Sequence, residues 1–258
     1  MSPKDYKYIY GPVPSWRLGI SLGIDPVSKG RKVCSFDCLY CQLGRKGLMT
    51  DERRIFIPHE DIIEEMDTLP SMHIDYITFS GAGEPTLAKN LGQMMRAIKK
   101  IRNDKIAVIT NSSLMQREDV QQDLAEADFV IAKLDAPNQE LLSKINRPVA
   151  GITFDKIVSG IKDFRKRFKG KLALQMMFIE QNRHAASAMA DAARDIKPDE
   201  VQINTPLRPC AVKPLRESVV DEISGHFDKL NVISVYRSDK KSTKPLSTQE
   251  TLKRRGKV

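Results

Sequence analysis

The sequence predicts an α/β chain folded as a partial, open barrel of about six βα units. Amphipathic helical segments alternate with short apolar strands through most of the 258 residues. This rhythm is uninterrupted by any interior linker rich in Gly or Ser, and several apolar strands close on polar residues. Such alternation means a parallel sheet with helices outside, and the polar strand ends mark the face where chemistry belongs.

Residues 6–16 are aromatic and proline-rich, which predicts an extended lead-in over 1–17 rather than a helix. Residues 18–25 alternate apolar with small side chains and form the first strand. Helices follow over 58–69, 87–101, 116–127, 154–168, 184–196 and 219–230, and strands over 74–80, 106–110, 129–134, 172–179 and 200–204, with a last extended piece at 232–236. The barrel thus occupies 18–236. Residues 237–258 form a basic tail in which Ser247 and Glu250 have the spacing of a capping box for one short helix.

The formal net charge of +9 suggests an anionic partner, but the tail alone carries eight basic residues against two acidic ones. That distribution fits RNA contact through the tail or a merely solvated tail, dispensable to the rest in either case. No apolar run reaches the roughly eighteen residues of a membrane span, and the N-terminus is polar, so a cytoplasmic, membrane-free protein is expected. Three of the four cysteines are crowded together and make no disulfide framework.

Those three, Cys34, Cys38 and Cys41, follow the first strand with the spacing C-x3-C-x2-C. Thiolates are soft ligands suited to iron, copper(I) or zinc. A closed zinc site needs a fourth ligand, here Cys210 or one of four histidines without an i, i+4 pair. A 4Fe–4S cluster on three cysteines instead leaves one iron open.

With Tyr40 before the last cysteine, the run resembles the signature of the radical S-adenosylmethionine (SAM) superfamily. The resemblance implies a radical-SAM-type partial (β/α)6 TIM barrel and one 4Fe–4S cluster on Cys34, Cys38 and Cys41. It implies SAM at the open iron, reductive cleavage to a 5′-deoxyadenosyl radical, hydrogen abstraction from substrate, and an electron donor such as a flavodoxin or ferredoxin. Tyr40 would lie against the adenine. Gly81, Ala82, Gly83 and Glu84 resemble the superfamily's GGE motif, which receives the SAM amino group largely through its main chain. Around them, Lys133 is a contact for the SAM carboxylate, Asn111, Ser112 and Gln175 are ribose or carboxylate contacts, and Asn204 and Thr205 resemble adenine-side contacts.

Residues 11–25, Gly44-Arg45 and residues 202–209 further resemble the branch that includes the wybutosine-synthesis enzymes, which remodel a tRNA guanine. The present chain departs from them in having neither a flavodoxin-like stretch nor a second cysteine motif. A tRNA base, a small metabolite and a peptide residue all stay open as substrates, as does a non-catalytic metal-cluster protein that binds RNA. Arg17, Arg147, Arg183 and Arg208 lie near loops suited to a phosphate or carboxylate, and Cys210 is a candidate catalytic thiol on the same side.

Overall fold

The computed structural model describes residues 6–27, 30–44, 47–239 and 241–255. The chain opens with an antiparallel hairpin, β1 (Ile9–Ser15) and β2 (Gly19–Ile24). A two-stranded parallel side sheet follows, β3 (Lys32–Cys34) with β4 (Gly47–Met49). Helices and strands then alternate: α1 (His59–Met66), β5 (Tyr76–Phe79), α2 (Leu91–Ile101), β6 (Lys105–Thr110), α3 (Glu118–Leu124) and β7 (Phe129–Lys133). The second half runs α4 (Gln139–Ile145), α5 (Phe154–Arg167), β8 (Lys171–Met177), α6 (Ala186–Ile196), β9 (Glu200–Asn204), α7 (Glu217–Gly225), β10 (Val232–Ser234) and α8 (Thr248–Arg255).

The main sheet has the order β1-β2-β5-β6-β7-β8-β9-β10, and every pairing from β2 to β10 is parallel. Because each crossover advances the chain by one strand in the same direction, the sheet curls into the expected half-barrel. The predicted lead-in is itself a strand: Pro12 and Pro14 are tolerated because β1 is an edge, with a register shift between Tyr10 and Val13. Helix α4, capped by Asn138 Oδ1 accepting from Leu141 N at 3.0 Å, has no counterpart in the sequence reading; seven residues are too few to display a helical period.

Strand alternation sorts the core into two. Ile106, Val108, Val130, Leu172 and Leu174 pack beneath the helices in the large cluster. Their neighbours Ala107, Phe129, Ile131 and Ala173 meet Leu18 from the hairpin turn in a separate small cluster, a dry floor to the barrel. One row beyond that floor the interior turns polar, with Lys133, Gln175 and Gln202 side by side across β7, β8 and β9.

The C-terminal residues correct the expectation of a dispensable tail. Leu246 N donates to Gly11 O at 2.5 Å and Gly11 N to Thr251 Oγ1 at 3.1 Å, laying α8 along β1. Glu250 N donates to Ser247 Oγ at 3.3 Å, one half of the expected capping box, while the Glu250 carboxylate turns to Arg254 Nη1 at 2.6 Å. Arg254 is 7% exposed and its Nε lies 3.3 Å from Oδ2 of Asp25, which is fully buried. Arg237 and Lys241 are likewise engaged, with Asp221 at 2.5 Å and Asp75 at 2.7 Å. Arg45, Lys240 and Lys257 lie outside the described residues. Removing one partner of a buried ion pair is strongly destabilising, so Arg254→Ala should lower unfolding free energy by about 3 kcal/mol or more, read from the urea midpoint. An unchanged midpoint would return α8 to the status of an appendage.

Candidate active site

Cys34 ends β3, and Cys38 and Cys41 sit in the turn after it, where Cys41 N donates to Cys38 O at 3.1 Å. Main-chain pairing fixes this loop to the glycine-rich segment: Val33 N donates to Ala82 O at 3.0 Å, and Glu84 N to Val33 O at 2.9 Å. A Cβ on Gly83 would stand 1.7 Å from Val33 O, so this approach demands glycine. Further clamps are the Ser35 Oγ to Ser113 Oγ bond at 2.7 Å and Val149 N donating to Ser35 O at 2.9 Å.

Tyr40 is held by groups from two other segments, the end of β7 and the residue after α4. Its hydroxyl donates to Asp135 Oδ2 and accepts from Lys133 Nζ at 3.0 Å and Asn146 Nδ2 at 2.9 Å. The Lys133 ammonium also lies 4.4 Å from the Tyr40 ring centroid and 3.5 Å from Asp135 Oδ2. Lys133, expected from the sequence to meet the SAM carboxylate, is here engaged with Tyr40 and Asp135. Asp135 in turn accepts from Met177 N at 2.8 Å through Oδ1. Neither Asp135 as the anchor nor Asn146 was singled out from the sequence; only the polar end of β7 hinted at the first.

Glu84 is buried, and its side chain is structural. Its Oε1 accepts from Thr110 Oγ1 at 2.6 Å and Thr86 Oγ1 at 2.7 Å, and Oε2 accepts from Asn111 N at 2.6 Å. Burial raises its pKa against these hydrogen bonds. Gly81 adopts φ +137°, and a Cβ there would come within 2.6 Å of Asp25 Cγ. Asn111 Nδ2 reaches Ser35 Oγ at 2.9 Å and Cys34 Sγ at 3.6 Å, while Asn146 Nδ2 lies 3.4 Å from Cys38 Sγ. Such N–H to sulfur contacts orient cysteine ligands and tune what they hold. Asn204 Oδ1 accepts from Thr205 N at 2.9 Å and Thr205 Oγ1 from Leu215 N at 2.9 Å, so both stiffen the loop after β9.

Buried polar atoms near this rim without a partner include Ser112 Oγ, Asn146 Oδ1, Gln175 Nε2 and Gln202 Oε1. Ser112 is also a non-glycine residue at φ +67°, a conformation that costs energy and clusters at ligand sites. Unspent hydrogen-bonding capacity beside three cysteines fits a zwitterionic ligand bound over an open metal position. Among the described residues no three His, Cys, Asp or Glu side chains come close enough to share one metal ion. A cubane cluster does not ask for that, because each cysteine takes a different iron.

Burial pushes the Cys34 thiol up to about 12, helped by Cys38 and Glu84, and burial raises Cys38 as well. Loading metal must therefore expel protons that the folded chain otherwise retains. Lys32 is 5% exposed; burial works against its charge, yet Cys41, Cys34, Cys38 and Asp37 together raise its pKa. It is a fixed cation beside the three cysteines.

Of the four arginines singled out from the sequence, Arg183 lies elsewhere, paired with Glu180 at 3.0 Å on the surface. Arg147 flanks the cysteine loop, its guanidinium 3.8 Å from the Asp37 carboxylate and its carbonyl accepting from Asp37 N at 3.3 Å. Arg17 and Arg208 lie close enough for their charges to oppose one another. The Cys210 thiol donates to Val212 O at 3.2 Å within its own loop.

Two expectations follow from this geometry. Gly83→Ala should push Val33 from the glycine segment and sharply reduce iron uptake on anaerobic reconstitution, whereas Ala82→Gly should load normally. Lys32→Gln should make reduction of the reconstituted cluster harder, because a lost charge interaction of about 1 kcal/mol corresponds to roughly 40 mV for one electron. A potential unchanged on redox titration would remove Lys32 from this role.

A family model described as the Radical SAM superfamily matches residues 31–193. A UPF0026 protein of Synechocystis sp. is 42% identical over 82% of this chain and 78% of its own length. Another, from Methanocaldococcus jannaschii, is 38% identical over 86% and 71%. The structure of SuiB from Streptococcus suis bound to precursor peptide SuiA superposes with a TM-score of 0.60 at 16% identity, a likeness of fold covering 80% of this chain and 47% of that one. The superfamily match covers the cysteine loop, the glycine segment and the strands that clamp them, so this chain belongs to the radical SAM superfamily and its UPF0026 proteins: it is an enzyme whose cofactors are a 4Fe–4S cluster and SAM.

Proposed function

We propose that Cys34, Cys38 and Cys41 hold the cluster, that SAM occupies the polar interior beside them, and that its reductive cleavage serves hydrogen abstraction from an organic substrate. The observation that carries this reading is the set of buried, unpartnered atoms Ser112 Oγ, Gln175 Nε2 and Gln202 Oε1 near the cysteine loop. When bound, the cluster and SAM together supply one-electron chemistry that yields methionine and a 5′-deoxyadenosyl radical.

The chain's own residues bind, orient and exclude water. The main chain of residues 81–84 offers groups for the SAM amino function. Ser112 and Gln175 supply hydrogen bonds for ribose or carboxylate oxygens, and Tyr40 presents a ring face already fixed by Lys133, Asp135 and Asn146. The apolar floor of Leu18, Phe129 and Ile131 closes the interior to water from below. Electrons would come singly from a small carrier such as a flavodoxin or ferredoxin.

For the substrate, a small molecule is favoured over a tRNA base. The tail cations that argued for RNA are largely engaged within the fold. The segments that resemble wybutosine-synthesis enzymes have local uses here: Leu18 builds the floor, Gln202 belongs to the polar row, and Arg208 reaches Gln42 at 3.1 Å. None of these asks for RNA. Cys210, turned to its own loop, has no part in this reading.

Anaerobically reconstituted protein is expected to bind about four irons and, once reduced, to convert SAM to 5′-deoxyadenosine and methionine. Alanine at Cys34, Cys38 or Cys41 should abolish both, and Cys210→Ala should leave iron content intact. Stoichiometric zinc without iron uptake, or loaded protein that leaves SAM whole under reduction, would defeat the proposal.

A further inference from the structure

Three arginines from segments remote in sequence lie close enough for their charges to act on one another. Arg17 stands in the turn between β1 and β2, Arg208 in the loop after β9, and Arg255 ends α8. Arg208 Nη1 donates both to Arg255 O and to Gln42 Oε1, each at 3.1 Å. Arg17 lies 4.8 Å from the Trp16 ring centroid, and its buried Nε has no hydrogen-bond partner. Burial, with Arg208 and Arg255 nearby, brings the Arg17 pKa down to about 9; burial and Arg255 bring Arg208 to about 10. Among the described residues no carboxylate forms an ion pair with any of the three, which are half-buried, although Arg53 and Arg254, whose side chains are more deeply enclosed, pair with acids.

The cluster touches both cofactor motifs. Gln42 directly follows Cys41. Tyr10, close enough to favour the charges of Arg208 and Arg255, joins its hydroxyl to Ser80 Oγ at 2.6 Å, and Ser80 directly precedes Gly81. Half-buried cations that repel one another with no protein anion beside them are suited to a ligand's anion. Guanidinium forks match carboxylate and phosphate alike. Three forks arriving from three chain segments exceed what a planar, singly charged carboxylate engages, whereas a phosphate monoester offers three oxygens and close to two charges at neutral pH.

We infer that Arg17, Arg208 and Arg255 form the binding site for a phosphate group on a small-molecule substrate, set beside the SAM-binding interior. The inference rests on the functional reading above and names the substrate's chemical class. It accounts for Arg17 and Arg208, singled out from the sequence as anion contacts, and adds Arg255, which the sequence presented as a tail charge.

The test titrates inorganic phosphate into the full chain by calorimetry, with and without reconstituted cluster, so that failure of SAM cleavage leaves the measurement standing. Saturable binding is expected, with at least about tenfold weaker affinity in Arg17→Gln and Arg208→Gln. Arg165→Gln, which removes a surface charge paired with Asp199, should bind as wild type. Phosphate should raise Tm in the wild-type chain and not in the two variants. Should Arg208→Gln misfold, Arg208→Lys keeps the charge, loses the fork, and should still weaken binding. Parallel titrations use acetate and total tRNA. Absence of saturable phosphate binding, equal loss in Arg165→Gln, acetate binding as tightly as phosphate, or a loss confined to tRNA would each overturn the assignment.

Discussion

The wholly buried carboxylate of Asp25 is the constraint around which the rest is arranged. Its Oδ1 accepts from Val27 N at 3.2 Å, turning the chain at the end of β2, and its Oδ2 accepts from Ala82 N at 3.1 Å, placing the glycine segment. The same Oδ2 lies 3.3 Å from Arg254 Nε, which draws in the C-terminal helix. A carboxylate out of reach of water is tolerated only where charge and hydrogen bonds replace hydration. Gly81 is glycine because no Cβ fits against this group. From there the constraint passes along the main chain to Gly83, from Gly83 to Val33, and so to Cys34.

Within the barrel, chemistry is sorted by height. Small and apolar side chains fill the lower interior, where Ala107 and Ala173 leave room for Phe129, Ile131 and Leu18. The row above carries Lys133, Gln175 and Gln202, where Gln175 Nε2 and Gln202 Oε1 are buried without a hydrogen-bond partner. Glu84, Asp135 and Asn182 face the same region but are saturated by hydrogen bonds to neighbouring strand ends. Saturated groups fix geometry, and unsaturated ones are left for ligands. The distinction separates Glu84, whose side chain has no capacity to spare, from Ser112, whose hydroxyl is uncommitted.

What the sequence made legible were features set by short-range rules. Three thiols in eight residues, a glycine pair with an acid, and strands with period two each show within a few positions. The half-barrel was readable for the same reason, since helix and strand periods alternate along the chain. Contacts between residues far apart were not. Asn146 reaches Tyr40 and Cys38 from the end of a seven-residue helix too short to see, and the polar end of β7 did not tell that Lys133 would serve Tyr40. How the basic tail packs was not legible, because net charge counts cations without their partners. Arg254 and Lys241 are balanced by Asp25 and Asp75, some 230 and 166 positions away in sequence.

The closing helix unites the structural and the chemical halves of the molecule. Adjacent residues on an α-helix point about 100° apart, so Arg254 and Arg255 diverge, although both lie near Tyr10. One enters the buried charge network of Asp25, and the other stands with Arg17 and Arg208. Docking α8 therefore completes the support of the glycine segment and the arginine cluster in a single step. The β1 edge that α8 covers is also the strand that carries Tyr10 across to Ser80. A chain whose substrate-side cation arrives on the element that stabilises its cofactor side cannot assemble one site without the other, and this coupling gives a physical reason for a charged terminus to be folded in.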